Sequence, residues 1–420
     1  MSRPVWTPTT YAGAVSDVDA RKVTENHYIE LKRTYDLTDA AKRKMAEHVA
    51  ALALDGGVLV VGVEEDDLGR AVEVVPVDLA GLAERIDSAA LYRCDPPVEV
   101  TITPLLDPED EDKATGILLV EVPAHPLAPI MVDGRYFGRG ERGVRRLFDA
   151  EVVRLHQART LESRHAEQVL DVAVKEARAD LPQGKIGRLT IIAEPAPIRE
   201  VDAMSHVYAE NDWWRWQQEA DDGAAKYVQL HGSSDSGLAG CLYLGTFSPL
   251  QMFSGGTRKE RQPRGVEVRG AGRGTSSEQS GYLQLHESGA LRLAVNNFIT
   301  PNREYSSVSG STCRELDWHY IVSVTVYVIG MFVQIRQEAG FHSQLDVGVH
   351  VDGLTGVVPR SIDSAFFHRG TATTYRADDY RRTTRITVQE MDGDPTAAMN
   401  RLWGPLLRSM GLGDRFTTSP

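Results

Sequence analysis

Residues 55–67 read Asp-Gly-Gly-Val-Leu-Val-Val-Gly-Val-Glu-Glu-Asp-Asp. From Val58 to Val63 no position carries a polar side chain, which predicts a central strand covered on both faces. Asp55-Gly56-Gly57 is the kind of sequence that ends a helix and turns the chain. That helix is predicted upstream, capped by Thr38 or Asp39, with Met45, Val49, Leu52 and Ala53 on one face. Lys42, Arg43 and Lys44 in its first turns oppose the helix dipole, a small cost that makes sense on a surface meeting phosphate. Further upstream, Tyr28-Ile29-Glu30-Leu31-Lys32 alternates apolar with charged, as a strand with one wet face does.

The carboxylates set the chemical question. Glu64, Glu65, Asp66 and Asp67 follow the apolar strand, and Glu25 and Glu30 flank the start of the other. Side chains an odd number of positions apart on a straight strand face opposite ways. Glu25 and Glu30 therefore share a site only if the chain bends, and Asn26-His27 is the place for it. Carboxylates from two strand ends suit a divalent metal beside a phosphodiester. Lys32, on the same face as Glu30, could hold a non-bridging oxygen. Acids after a buried strand also serve as loop solvation, and Glu-x-Lys as a cross-strand ion pair; the residues alone leave these readings open.

Around this segment the pattern predicts a loose arm over residues 1–20 and a helix over Leu79–Leu91. It predicts a strand pair, Val98–Pro104 and Ile117–Val122, around an acidic loop at 107–113, and a hairpin return at Gly134–Gly140. A long helix, in one or two pieces, is expected over Phe148–Arg178. From residue 187 onward the reading is α+β. Strands are expected at Leu189–Ile192, Lys226–His231, Gly240–Phe247, Gly265–Arg269, Gly281–His286, Leu291–Val295 and Gln344–Val351. Helices are expected at Val201–Gln217 and Pro395–Met410. Leu316–Gln337 reads as a buried helix, with a pair of strands as the alternative.

The 420 residues are too many for one ordinary core. The division read from the pattern is 1–155, a connector at 156–186, and an accessory sensor or oligomerisation domain at 187–420. A charged fraction of 25% and an apolar fraction of 42% are ordinary for a soluble protein. Cys94, Cys241 and Cys313 are far apart, which disfavours a cysteine zinc site or a disulfide framework and fits a reducing cytoplasm. No secretion signal is read, and Tyr320–Ile335 falls short of a membrane span, so no membrane partner is expected. The net charge of −13 excludes a wholly basic nucleic-acid binder. Charge is nevertheless uneven. Arg135 to Arg159 holds seven arginines against Glu141, Asp149 and Glu151, a local excess of four. Arg258 to Arg273 holds six basic residues against Glu260 and Glu267, again an excess of four. Either patch could be simply a solvated face. The Gly- and Arg-rich stretch from Gly255 reads as a mobile loop or an RNA-contacting arm. Trp213, Trp214 and Trp216 read as core plus interface, or as a platform for bases. His342 and His350 have no partner at metal spacing.

The order and spacing of Glu25, Glu30, Lys32, Asp55, Gly56, Gly57, Gly62, Val63, Glu64, Glu65, Pro129, Tyr136, Arg139 and Gly140 resemble the Schlafen AlbA-2 domain family. The resemblance covers about the first third of the chain. It implies an N-terminal Schlafen AlbA-2-like α/β domain ahead of a mixed α+β domain, the whole being α+β. In the family's endoribonucleases two matching glutamates and an aspartate form the catalytic triad. That maps to Glu25, Glu30 and Glu65, where glutamate replaces the aspartate and Asp66 is a substitute. The resemblance implies Mg²⁺ or Mn²⁺ on these carboxylates and phosphate contact by Arg139, Arg142, Arg145 and Arg146. It implies metal-dependent cleavage of structured RNA such as tRNA, in a stress or phage-defence effector. Family members with two copies of the domain grip RNA between them, which implies a homodimer here. A non-catalytic DNA- or RNA-binding regulator with a sensing C-terminal domain is the alternative. No Gly-x4-Gly-Lys-Ser/Thr is present, so no ATP site is expected.

Overall fold

The structure is a computed structural model. It describes residues 6–36, 38–110, 112, 114–125, 127–140, 143–181, 187–196, 202–233, 236–243, 257–271, 280–296, 298–302, 313–340, 343–360 and 374–416. Helices and sheets are mixed throughout, an α+β protein. The chain divides into two compact units, residues 1–163 with 339–344, and 164–338 with 345–420.

In the first unit the elements run α1 (Tyr11–Asp19), β1 (Ile29–Lys32), α2 (Asp39–Leu52), β2 (Gly57–Val61), β3 (Val63–Glu65), β4 (Ala71–Val74), β5 (Val77–Asp78) and α3 (Leu82–Tyr92). They continue as β6 (Cys94–Asp95), β7 (Thr101–Leu106), β8 (Thr115–Val122), β9 (Met131–Val132), β10 (Arg135–Arg139), β11 (Val144–Arg146) and α4 (Asp149–Asp180). β2 lies between β1, parallel to it, and β8, antiparallel; β7 and β5 also pair with β8. The apolar run of β2 is needed because both its faces are covered. Val58 and Val60 join Ala14 and Val18 of α1, while Leu59 and Val61 join Met45 and Val49 of α2 and Ile86 of α3. The segment expected to be a loose arm is thus partly the helix α1, tied down by its apolar face and by Thr10, whose side chain accepts from Gly13 N at 3.1 Å. A second small sheet runs β11-β10-β9-β6.

β1 departs from the expected wet-faced strand. Ile29 and Leu31 face the α1 side, and Glu30 on the opposite face is only 1% exposed. Its parallel register sets Glu30 opposite Leu59 and Lys32 opposite Val61, on the α2 side. Gly62 (φ +104°) then breaks β2 from β3 and redirects the chain, so β3 pairs with β4 in a separate hairpin. A residue with a Cβ is strained at that φ.

In the second unit the strands β12 (Arg188–Ala196), β13 (Thr257–Gln262), β14 (Gly265–Ala271), β15 (Ser280–His286), β16 (Leu291–Asn296), β19 (Gln344–Asp352) and β21 (Asp379–Ile386) form one sheet. Its order is β13-β14-β15-β16-β12-β19-β21. β17 (Ile299–Asn302), β18 (Cys313–Leu316) and β20 (Val357–Pro359) form a smaller one. The helices are α5 (Ser205–Ala209), α6 (Trp213–His231), α7 (Trp318–Ala339), α8 (Val388–Asp392) and α9 (Thr396–Ser409). The C-terminal half of α4 packs on the large sheet through Leu170, Ala173 and Val174 against Ile192, and through Ala177 and Leu181 against Tyr282 and Ala294. α4 is one continuous helix from Asp149 to Asp180, so the expected connector is helical up to Asp180.

One expectation fails here and another holds. Lys226–His231 is the end of α6, not a strand; Ala220, Ala224, Ala225 and Val228 repeat at helical spacing and are buried. The stretch expected as a buried helix over Leu316–Gln337 is the helix α7 from Trp318 onward, and Tyr320–Ile335 is almost wholly interior. Among the described residues α7 is also the one helix long and apolar enough to cross a membrane, yet 94% of its apolar window is buried inside the structure. Residues 244–247 of the expected Gly240–Phe247 strand lie outside the described residues, as do Val201, Glu111, Lys113 and His342. So do residues 255, 256 and 272–274 of the Gly- and Arg-rich stretch.

Candidate nucleic-acid interface

The bend between Glu25 and Glu30 is a tight turn. Asn26 and Ile29 exchange backbone hydrogen bonds at 3.2 and 3.3 Å, and Asn26 Oδ1 accepts from the N–H of Tyr28 and Ile29. His27 Nε2 meets Asp55 Oδ2 at 2.7 Å, fastening the turn to the end of α2. The turn swings both glutamates to one place, where the bulged end of β3 also delivers Glu65.

Five side chains then interlock. Lys32 Nζ lies 2.6 Å from Glu30 Oε1 and 3.6 Å from Glu65 Oε1. Arg139, from β10, pairs through Nη1 with Glu30 Oε2 and through Nη2 with Glu25 Oε1 at 3.5 Å. The same Nη2 donates to the carbonyls of Asn26 (2.6 Å) and Ile29 (2.9 Å). Gly143 N donates to Glu25 Oε1 at 3.1 Å. Glu25 and Glu65 stand side by side, and the hydrogen bond between them moves the two carboxyls in opposite directions. Burial, then the hydrogen bond and charge of Glu25, push the Glu65 carboxyl up to about 7, with Lys32 opposing. Burial would also raise Glu25, but the hydrogen bond from Glu65, Lys32, Arg139 and the Gly143 N–H outweigh it and hold Glu25 low.

As placed, this set does not fit a divalent cation. One Glu30 oxygen faces Lys32 and the other Arg139, while Glu25 and Glu65 are tied to each other. Lys32 and Arg139 already occupy the carboxylates that a metal would need. Among the described residues no group of three His, Cys, Asp or Glu side chains is placed to hold a metal. Asp66 is elsewhere: its Oδ1 accepts from Leu68 N and Arg70 N, both at 2.9 Å, in the β3–β4 turn.

Lys32 also lines an open cleft of about 600 Å³ between α2 and the β10–β11 hairpin. Lys44, Arg145 and Arg146 converge on it, with Asp36 and Glu47 as the acids of its wall. The first turn of α2, capped by Thr38, lines it with Thr38, Ala40 and Ala41 and brings the positive end of the helix dipole. Tyr35 and His48 meet at 2.6 Å between Oη and Nδ1, and His48 Nε2 lies 3.7 Å from Glu30 Oε1. Burial, then Lys32, holds His48 down to about 3, so it stays neutral.

The expected phosphate-binding arginines therefore part company. Arg139 is 6% exposed and structural, because the Asn26–Ile29 turn presents carbonyls and carboxylates to it. Arg145 faces the cleft but is bound by Glu151 at 2.6 and 2.9 Å. Arg146 is exposed in the cleft wall, and Arg142 lies outside the described residues. Tyr35 and His48 were not singled out by sequence. The signal available was the spacing of Ala41, Lys44 and His48, three and four apart on one face of α2.

No curated protein matches the chain. Residues 25–147, which supply the turn, the five interlocked side chains and the cleft, match the model of the family Schlafen, AlbA_2, and that match suggests nucleic-acid binding.

Proposed function

We propose that the first unit binds RNA, with the sugar-phosphate backbone lying in the cleft between α2 and the β10–β11 hairpin. The observation that carries this is the convergence of Lys32, Lys44, Arg145 and Arg146 beside a helix N-terminus in a protein of net charge −13. Of these, Lys44 and Arg146 have no carboxylate partner within ion-pair distance among the described residues, so their charge is available to phosphates.

A second reading, cleavage of the bound strand, is favoured by the position of Lys32. It touches Glu30 and Glu65 on one side and the cleft on the other. A carboxyl held near 7 can take or give a proton at neutral pH. Lys32 can face a phosphate oxygen of a strand in the cleft. The test is incubation of the protein with total tRNA in Mn²⁺ or in EDTA, beside Glu25→Gln/Glu30→Gln. Metal-dependent cleavage lost in the variant supports a metal nuclease that rearranges its ion pairs. Cleavage in EDTA lost in the variant supports proton transfer by the carboxylates alone. Intact RNA that still shifts in a gel leaves the binding reading.

A further inference from the structure

The second unit places the three tryptophans in three different settings. Trp213 is 7% exposed and belongs to the core. Trp216 packs edge-on against Tyr208, ring centroids 5.9 Å apart. Trp214 is 41% exposed. Two cations from different elements stand over its ring: Arg215 Cζ at 5.4 Å and Lys259 Nζ at 5.8 Å from the centroid.

Lys259 belongs to β13, the edge strand of the large sheet, and comes from the basic stretch noted in the sequence. Alternation along β13 sets Lys259 and Arg261 on one face, and Arg258 and Glu260, which pair with each other, on the other. Arg261 donates to the carbonyls of Tyr208 (2.5 Å), Ala209 (3.1 Å) and Glu210 (2.6 Å). It thereby fastens β13 to the corner between α5 and α6 that carries Trp214. Arg215 pairs with Asp212 at 3.1 Å, whereas Lys259 has no carboxylate within ion-pair distance among the described residues.

We propose that Trp214, Lys259 and Arg215 form a platform for single-stranded nucleic acid, with an unpaired base stacked on the indole and its phosphates met by the two cations. An exposed aromatic ring suits any base, because every base has a π-face, and cations beside it suit the backbone. A protein-docking anchor would instead need apolar neighbours around the ring; the immediate ones here are charged. The position is pre-set by Arg261, so little side-chain order is lost on binding. The platform lies outside residues 25–147 and stands whether or not the cleft binds RNA.

The test uses the full chain and a fluorescein-labelled oligouridylate of about twelve nucleotides, within the usual site sizes. In the Lys44→Glu/Arg146→Glu background, which disables the cleft, binding persists, and adding Trp214→Ala weakens it by roughly 5- to 100-fold. Trp214→Phe keeps most of the affinity. Lys259→Glu, a surface change that leaves the indole in place, gives a comparable loss, and Lys259→Ala lowers the salt slope by ~0.7. Equal affinity in Trp214→Ala and its parent would overturn the proposal. So would displacement of the oligouridylate by poly-glutamate at matched charge, which would assign the platform to an acidic protein.

Discussion

Arg139 and Arg146 sit on the two strands of one hairpin and do opposite things. Arg139 is enclosed, and its two terminal nitrogens face Glu25, Glu30 and two carbonyls. Arg146 stands open on the cleft. The carboxylate cluster and the cleft share Lys32 as a common wall, yet the carboxylates of the first already face cations, while the cleft holds Lys44 and Arg146 with no carboxylate partner among the described residues. A cationic stretch in sequence is therefore two things in space: a buried clamp that holds a turn, and free charge that can meet a polyanion. Only the second can supply salt-dependent binding.

The largest effect should come from breaking the clamp. Arg139→Ala leaves Glu30 buried without its main partner, and the expected loss is about 3–5 kcal/mol in urea denaturation. Arg139→Lys keeps charge but not the fork that serves two carbonyls and two carboxylates, so it should recover only part of that loss. A variant as stable as the parent would show that the cluster is not the closed unit described.

Next in size, the cleft should separate its own cations. Lys44→Ala should weaken RNA binding more than Arg145→Ala, because Arg145 is already bound to Glu151 while Lys44 is not. Glu151 is held at about 2 by the hydrogen bonds from Arg145, which marks how firmly that pair is made. Fluorescence anisotropy on one tRNA decides the order, and the reverse order would mean that Glu151 releases Arg145 to the strand.

The cluster also predicts a pH dependence that the cleft does not. Glu65 has a folded pKa of about 7 against the ordinary 4.5. The folded state therefore binds more proton than the unfolded between these values, and this contribution to stability falls as pH rises through 7. Glu25, held low, contributes in the opposite sense, and its share is lost only as pH drops below the ordinary carboxyl range. Urea midpoints at pH 5.5 and 8 should show the parent losing stability at the higher pH relative to Glu65→Gln. A parallel response in both proteins would remove the raised Glu65 carboxyl from the account.

The smallest effect belongs to the wall between the two regions. Tyr35→Phe deletes the hydrogen bond to His48 and should cost about 1 kcal/mol in the same denaturation assay. A loss several times larger would place Tyr35 in the core and not at the mouth of the cleft.

Much of this was legible in the sequence, and the reasons for the rest are specific. The run Val58–Val63 announced a strand covered twice, and Asn26 announced a bend, because both signals are local. Asp66 was readable as a substitute for Glu65; its place in the β3–β4 turn was not, because the partners of its Oδ1 are backbone N–H groups that carry no sequence signature. Arg139 looked like its neighbours because burial depends on what the Asn26–Ile29 turn presents from a distant part of the chain. His48 was one histidine among twelve, and only α2 packing beside β1 brings it to Glu30. The α7 segment was readable as buried, while the fate of each tryptophan depended on which face of α6 was buried.

The most direct test of the central claim is anisotropy of a labelled tRNA titrated with the parent and with Lys44→Glu/Arg146→Glu across a range of salt. The account predicts at least a roughly tenfold loss of affinity and a shallower salt slope in the variant, with an unchanged melting temperature. Equal affinity and equal slope in the two proteins would contradict it and take the cleft out of nucleic-acid binding.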